Sequence, residues 1–498
     1  MTTLLVIALV GAALLGMPLF AVMFLGTALS YAAFSSPPID LVNVFVVMGD
    51  LLDKPYLLPI PLFTFAGYLL ANSGTPKRLV DLAEAWFGWL PGGLAIVAVL
   101  TCSFFTTFTG ASGVTIIALG GLLYPVLLER KYPERFSLGL MTASGSLGLL
   151  FFPSLPIFLY ATVYSLSTGG AAAVEPSDLF LGGLLPGIVM AGTLCGYALW
   201  TGARLRIART PFTITNAMRA LRAATGEVLL PVAILVLLQT GRIGINEIAS
   251  ITVVYVLILE VFVHRDVSLS RDLPRLVRES MVLVGAIILI LALILGMNNF
   301  LTQAEIPSRI LASLKEVISS RVAFLLALNV FLLVIGCLMD IFSATVAVVP
   351  LLIPLAQEFD VSPIHLGIIF LANLEIGYLT PPVGMNLFIS HFQFRRPILS
   401  VYRSVVPFIG LLVFSLLVIT YVPALSEWLP AQVASHAAES KEPGGPAVSP
   451  EQEQRTQELL DELSEDEDLE ALYGDDEDGG ERPSEEPEEP GDDELLEE

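Results

Sequence analysis

The feature that most limits how this chain can fold is the recurrence, from end to end, of uninterrupted apolar runs of about twenty residues. A helix of that length crosses the hydrocarbon core of a bilayer. Solid apolar runs do not carry the period-two alternation of a membrane β-barrel. With 55% of its 498 residues hydrophobic and a mean hydropathy of +0.76, the sequence reads as an all-α polytopic membrane protein. It has about 11 candidate transmembrane helices, at residues 3–33, 56–71, 91–104, 137–163, 179–203, 228–240, 247–263, 280–297, 322–339, 364–391 and 404–424. Residues 73–87 and 301–320 mix charge with apolar spacing and read as amphipathic helices along the interface. The N-terminal MTTLLVIALVGAALLG lacks a basic leader region and reads as a first span.

The formal charge of −23 comes from one end of the chain. Residues 435–498 hold 26 of the 48 acidic residues and three of the 25 basic ones, so residues 1–434 carry 22 of each sign. So polar a tail cannot bury a core and is expected to be disordered, with a short helix at most near Glu451–Tyr473. Basic residues cluster in Arg204–Arg222, His264–Arg278 and Glu129–Arg135, which the positive-inside rule assigns to the cytoplasm. The N-terminus then lies outside and the acidic tail inside. No basic stripe points to nucleic acid. The three cysteines, Cys102, Cys195 and Cys337, all fall in apolar segments and read as small core residues.

Within the apolar sequence, NLEIGYLTPPVGMNLF (Asn373–Phe388) carries the signals that break a helix. Proline lacks an N–H and its ring clashes with the preceding turn. In lipid, the backbone groups freed by two adjacent prolines need protein, water or a ligand as partners. An earlier segment has the same grammar. LLYP at 122–125 matches LLIP at 351–354, Gly148 matches Gly377 and Pro153 matches Pro382, all 229 residues apart, and Gly139 matches Gly367 at 228. Each copy runs from a span into small polar residues (Thr109-Gly110-Ala111-Ser112-Gly113; Ser343-Ala344-Thr345), through an apolar stretch short enough to suit a re-entrant hairpin, to an interrupted segment (Phe152–Pro156; Thr380–Gly384). Broken helices near the midplane are where secondary transporters build ion sites, so the pair of breaks points to binding; a single break would be read as a kink. Asp340 and Glu375 are intramembrane acids, and such residues are expensive unless they serve an ion, a proton or a partner side chain. Asn298-Asn299 read as the end of a helix.

Other functions leave weaker traces. Gly110-Ala111-Ser112-Gly113 fits the G-x-S-G of an intramembrane serine protease, but none of the four histidines is placed by the sequence against Ser112. No H-E-x-x-H and no G-x-x-x-x-G-K-[ST] is present, so neither a zinc protease nor an ATP-driven pump is supported.

NLEIGYLTPPVGMNLF, the preceding GCLMDIFSATVAVVPLLIPLA and the early LLPIPLFTFAGYLLANSGTPKRLVDLAEAWFGWLPGGLA resemble the large membrane subunit (DctM-like) of tripartite ATP-independent periplasmic (TRAP) transporters, over residues 3 to 425. The resemblance implies an elevator-type secondary transporter with two re-entrant hairpins in an inverted repeat, driven by sodium and taking up organic acids, typically carboxylates. It implies a bacterial or archaeal inner membrane, a small four-helix membrane subunit and a periplasmic substrate-binding protein. On that pattern, residues 1–90 and 166–300 are scaffold, 91–165 and 301–392 are the hairpin repeats of a transport domain, 393–430 is a last span and 431–498 the tail. One sodium site would involve Thr109, Gly110, Ser112 and Gly145. The other would involve Ser343, Thr345, Gly377, Thr380 and Gly384. Substrate would lie near Ser112, Ser154, Thr345 and Asn386, with Asp340 and Glu375 as candidates for coupling. The sequence departs from the family at its first tip, which has less serine, at its first break, FFPSLPI in place of a double proline, and in its tail. The span count leaves the copies parallel, against the inversion implied. The nearest rival is a standalone sodium/dicarboxylate or anion symporter.

Overall fold

The computed structural model describes residues 57–439 except 169–173, 208, 240–242, 304–317 and 319, together with residues 21, 24, 25, 27 and 28. The expected first span, the amphipathic helix at 301–320 and the acidic tail fall largely outside the described residues. Residues 1–433 form one compact unit and 434–498 another.

All described secondary structure is helical. Among the described residues, the first helix given bounds is α1 (Pro59–Ala71), followed by the amphipathic α2 (Thr75–Phe87) and α3 (Gly93–Thr109). Next come α4 (Ser112–Glu129, with a π turn at Ile116–Gly120), α5 (Glu134–Ser144), a 3₁₀ turn at Leu147–Leu150, and α6 (Leu155–Ser167). The long α7 (Pro176–Leu205) leads to α8 (Ile214–Ala223), α9 (Thr225–Gln239), α10 (Ile245–Val263) and α11 (Leu273–Gln303). Then follow α12 (Arg321–Leu338), α13 (Ile341–Glu358), α14 (Pro363–Gly377), α15 (Met385–Phe394), α16 (Ile398–Tyr421) and α17 (Ala424–Glu439). Among the described residues, seven helices are long and apolar enough to cross a membrane, or eight if α5 with its 3₁₀ turn and α6, bent by 45°, count as one span. The number eleven is therefore not reproduced. Asn298 and Asn299 lie inside α11, which runs on to Gln303 and does not end at them.

The repeat is visible as structure. The series α3–α4–α5–break–α6–α7 recurs as α12–α13–α14–break–α15–α16. Both matched prolines follow cis peptide bonds, Phe152-Pro153 and Pro381-Pro382. The matched glycines mark where neighbouring helices come closest. A Cβ on Gly148 would lie 2.1 Å from Ser103 O of α3, and one on Gly377 would lie 2.5 Å from Gly336 C of α12. Gly139 likewise admits Ser404 O of α16, and Gly367 admits Tyr160 of α6 and Leu179 of α7. The copies are laid across each other: α4 packs on α15 and α13 on α6, while α5 packs on α16 and α14 on α7.

Two sequence readings change. The stretches expected to be too short to cross, α4 and α13, are 18-residue apolar helices. The first turns back along α3: Thr106 and Thr115, nine residues apart, bring their hydroxyls to 2.7 Å. Gly110 makes that turn in the left-handed region (φ 61°), where an L side chain is strained, and returns its N–H to Thr106 O. A hairpin crosses an even number of times, whereas the span count gave α3 one crossing and α4 none. Counting both arms alike turns the two copies from parallel to inverted.

One feature has no counterpart in the sequence reading. Arg78 of α2 donates to Glu227 of α9, to Glu260 of α10 at 3.0 Å and to Asp266. Thr75 Oγ1 adds a bond to Glu260 at 2.9 Å, and the Gly74 N–H one to Asp266 at 2.9 Å. Glu227 and Glu260 are buried, so a guanidinium with five donors is the side chain suited to hold them. It pins the start of α2 to α9 and α10.

Gly148→Ala and Gly377→Ala should each destabilise the detergent-purified protein by about 1–3 kcal/mol. Gly410→Ala, whose Cβ meets nothing within 4 Å, should leave its melting temperature unchanged or raised. Arg78→Met should cost about 3–5 kcal/mol by stranding buried carboxylates. Asp266 lies outside the spans. Partial burial acts to raise its pKa, but the Arg78 guanidinium and the Gly74 N–H outweigh that and hold it below the usual value. Its contribution is therefore present above the unfolded-chain pKa and lost as pH falls through the folded one. Thermal melts should show a shallower acid decline for Asp266→Asn than for wild type.

Candidate functional site

The broken helices leave backbone groups that must find partners. At the first break the partners come from α3. Thr106 Oγ1 lies 2.8 Å from Gly145 O, 2.8 Å from Cys102 O and 2.7 Å from Thr115 Oγ1. Thr107 Oγ1 donates to Gly148 O at 3.2 Å. The first hairpin and the end of α5 thus share a knot of hydroxyl and carbonyl oxygens, a donor set of the kind that suits a hard cation. At the second break, the Gly384 N–H donates to Cys337 O at 3.1 Å, Cys337 Sγ to Thr380 O at 3.1 Å, and the Asn386 N–H to Tyr378 O at 3.2 Å. Tyr378 Oη accepts the Ile341 N–H at 2.5 Å, which ties the second tip to its break.

The tips and breaks of the two copies meet. Ser112 Oγ donates to Asn386 Oδ1 at 2.7 Å, from the first tip to the start of α15. Gly110 faces the start of α6, where an added Cβ would lie 3.0 Å from Leu155 Cβ. The first tip therefore sits against the N-termini of both helices that restart after a break. Thr142 Oγ1 donates to Ser390 Oγ at 2.8 Å, again across the copies. Ser146 Oγ reaches Glu375 O at 3.5 Å, and these residues are 229 apart, the repeat offset itself, so the pseudo-twofold passes between them.

Among the buried side chains here, some polar atoms have no protein partner: Ser154 Oγ, Asn386 Nδ2 and both carboxylate oxygens of Glu375. Unpaired buried polar groups are costly. Ser154 immediately precedes α6 and Asn386 is the second residue of α15. Both orphans can donate, and both stand at helix N-termini, where the macrodipole favours negative charge. The complementary ligand is an acceptor such as a carboxylate.

The structure gathers Ser112, Ser154 and Asn386, and sets Gly145 in the oxygen knot. Thr109 Oγ1 reaches only Ala111 O and Thr106 O, at 3.4 and 3.5 Å. Three other expected ligands turn inward on their own elements. Thr345 Oγ1 bonds Ile341 O at 2.6 Å, Thr380 Oγ1 bonds Ile376 O at 3.0 Å, and Ser343 Oγ bonds Asp340 Oδ2. Asp340 caps α13, accepting the Phe342 and Ser343 N–H groups at 3.0 Å each. Gly377 and Gly384 serve as the close contact with α12 and as the turn into α15. Thr106, Thr107, Thr115, Ser146 and Tyr378 were not singled out from the sequence, though two threonines one turn before a glycine tip are a legible cue. Ser112 has Asn386 as its partner, not a histidine, and His365 lies buried in α14 against Ser426 and Thr420 O.

Residues 3–425 match the model of the family described as tripartite ATP-independent periplasmic transporter, DctM component. The C4-dicarboxylate TRAP transporter large permease protein DctM of Pseudomonas aeruginosa is 32% identical over 408 residues, covering 82% of this chain and 93% of that protein. The isethionate TRAP transporter permease protein DctMQ of Oleidesulfovibrio alaskensis is 31% identical over 412 residues, 82% of this chain but 63% of that longer protein. In fold, the chain is similar to the YdaH transporter of Alcanivorax borkumensis, with a TM-score of 0.60 at 15% identity, over 83% of this chain and 98% of that one.

The Ser112–Asn386 bond should behave as a coupled pair. Ser112→Ala, Asn386→Ala and the double variant, compared by denaturation, should give an interaction energy of about 1 kcal/mol, whereas additive losses would deny the contact.

Proposed function

The chain belongs to the DctM component family of tripartite ATP-independent periplasmic transporters, and on that premise we propose that it is the large permease subunit of a sodium-coupled uptake system for a small organic acid. A periplasmic binding protein delivers the acid, and a small four-helix membrane subunit completes the permease. The crossed hairpin repeats move together as an elevator against the remaining helices, in a bacterial or archaeal inner membrane, with the acidic tail in the cytoplasm.

The observation that carries this reading is the arrangement around the first hairpin tip. Ser112 holds Asn386 across the repeat, and the unpaired Ser154 Oγ and Asn386 Nδ2 stand at two helix N-termini. A carboxylate accepts from both donors and gains from both dipoles. Sodium, as co-transported ion, is served by oxygen donors, and the Thr106–Thr115–Gly145 knot is made of them. Placing the ion beside the carried anion couples the two by direct attraction, which is strong where water is excluded. Glu375, buried with both oxygens unpaired, is the acid through which a proton or cation would act.

Reconstituted uptake tests this. Proteoliposomes holding this subunit and its small partner should accumulate a labelled carboxylate only with the binding protein and an inward sodium gradient. Ser154→Ala and Asn386→Ala should each reduce the initial rate at least tenfold, about the loss of one charge-assisted hydrogen bond. Uptake without the binding protein would make the protein a standalone symporter, and uptake unaffected by sodium would remove the coupling ion.

A further inference from the structure

A single guanidinium answers three carboxylates where α2 is anchored. Each nitrogen of Arg78 donates to a different acid: Nε to Glu227, Nη1 to Asp266 at 2.5 Å and Nη2 to Glu260 at 3.0 Å. Three negative charges and one positive leave the group with a formal charge of −2. Two atoms stay unanswered. The Glu227 side chain is 1% exposed, and its Oε2 has no protein partner. His264 Nε2 is likewise buried and has none. The two residues already stand together, with His264 Nε2 3.8 Å from Glu227 Oε1. An ionised carboxylate can only accept, so the pair is complementary when Nε2 carries a proton. An imidazolium does this best, because its charge also offsets the excess of acid.

The local backbone brings these groups to one place. The last six residues of α10, Ile258–Val263, wind as a π turn, a form frequent at functional sites. That turn carries the buried Glu260, and His264 follows it, its N–H closing on Leu259 O at 2.8 Å. Glu227 comes from the first turn of α9. The other charged or titratable groups of this corner are Arg78 of α2, Asp266 just beyond α10, the exposed Arg265 and Tyr255. Tyr255 donates its hydroxyl proton to Gly226 O at 3.0 Å, next to Glu227. Imidazole is the side chain whose ordinary titration falls between about pH 5 and 8. The His264 side chain is 22% exposed, so water can supply its proton.

We propose that His264 and Glu227 form a proton-operated latch on the anchor of α2. A proton taken from water onto the His264 ring makes Nε2 a charged donor to Glu227, and the added bond ties the end of α10 to α9 around Arg78. Loss of that proton to water opens it. The latch goes beyond the transport reading, since it needs no substrate, coupling ion or partner chain. Its bond exists only in the folded protein. Its contribution is therefore present on the acid side of the imidazole range and lost as pH rises through it. Asp266 acts in the opposite sense and below the usual carboxylate range, so the two effects separate.

Thermal melting of the detergent-purified full-length protein tests this. At about pH 8, wild type and His264→Gln should melt together; at about pH 5.5, wild type should melt higher by on the order of 2 °C. In a Glu227→Gln background, His264→Gln should make no difference at either pH. Hydrogen exchange in α2, corrected for the intrinsic effect of pH, reads the latch at the helix it holds and needs no change at the buried Glu227. It should slow several-fold on acidification in wild type and not in His264→Gln. Melting temperatures of wild type and His264→Gln that run parallel between these pH values would overturn the proposal. So would a pH-dependent difference that survives Glu227→Gln, or α2 exchange that responds to pH alike in both proteins.

Discussion

Everything in this fold turns on how backbone groups are paired where a helix stops inside the membrane. A carbonyl or N–H left bare in hydrocarbon costs several kcal/mol, so a break is tolerated only where something answers it. Here the answer comes from the neighbouring hairpin: threonine hydroxyls of α3 at Gly145 O and Gly148 O in the first copy, and Cys337 with Tyr378 in the second. Hairpin and break form one unit in each copy. Side chains left unpaired at these units are Ser154, Asn386 and Glu375, the donors and acid on which the proposed function rests.

Crossing of the copies gives this unit its shape. Each post-break helix packs on the other copy's hairpin arm, α6 on α13 and α15 on α4, and Ser146 meets its repeat mate Glu375 at the pseudo-twofold. Neither half is complete alone. The first tip lies against the N-termini of both post-break helices, so one ligand there touches both repeats. The hairpins and breaks of the two copies thus pack as one body, while α2 is held by Arg78 to α9 and α10.

Much of this was legible in the sequence because the constraints are local. Apolar runs fixed helices, paired prolines fixed breaks, and the 229-residue spacing of Gly148 with Gly377 and Pro153 with Pro382 marked the repeat. Those glycines recur because two backbones touch there, a cause that only the structure displays. What was hidden was which partner each polar side chain takes. Asp340, read from the sequence as an intramembrane acid, has its carboxylate capping α13. Thr345 and Thr380 give their hydroxyl protons to Ile341 O and Ile376 O of their own helices. Arg78 and its carboxylates come from segments more than 140 residues apart, which no motif records. The span count went astray because hydropathy weighs α3 and α4 separately, whereas a hairpin has to be counted as a pair.

The central claim is that a hydroxyl-lined break beside the first hairpin tip holds the coupling cation. Equilibrium binding of radioactive sodium to the purified subunit, with wild type and Thr106→Val compared side by side, tests it most directly. The account predicts saturable binding to wild type and its loss in a Thr106→Val protein that still melts cooperatively. Equal binding to both proteins would contradict it.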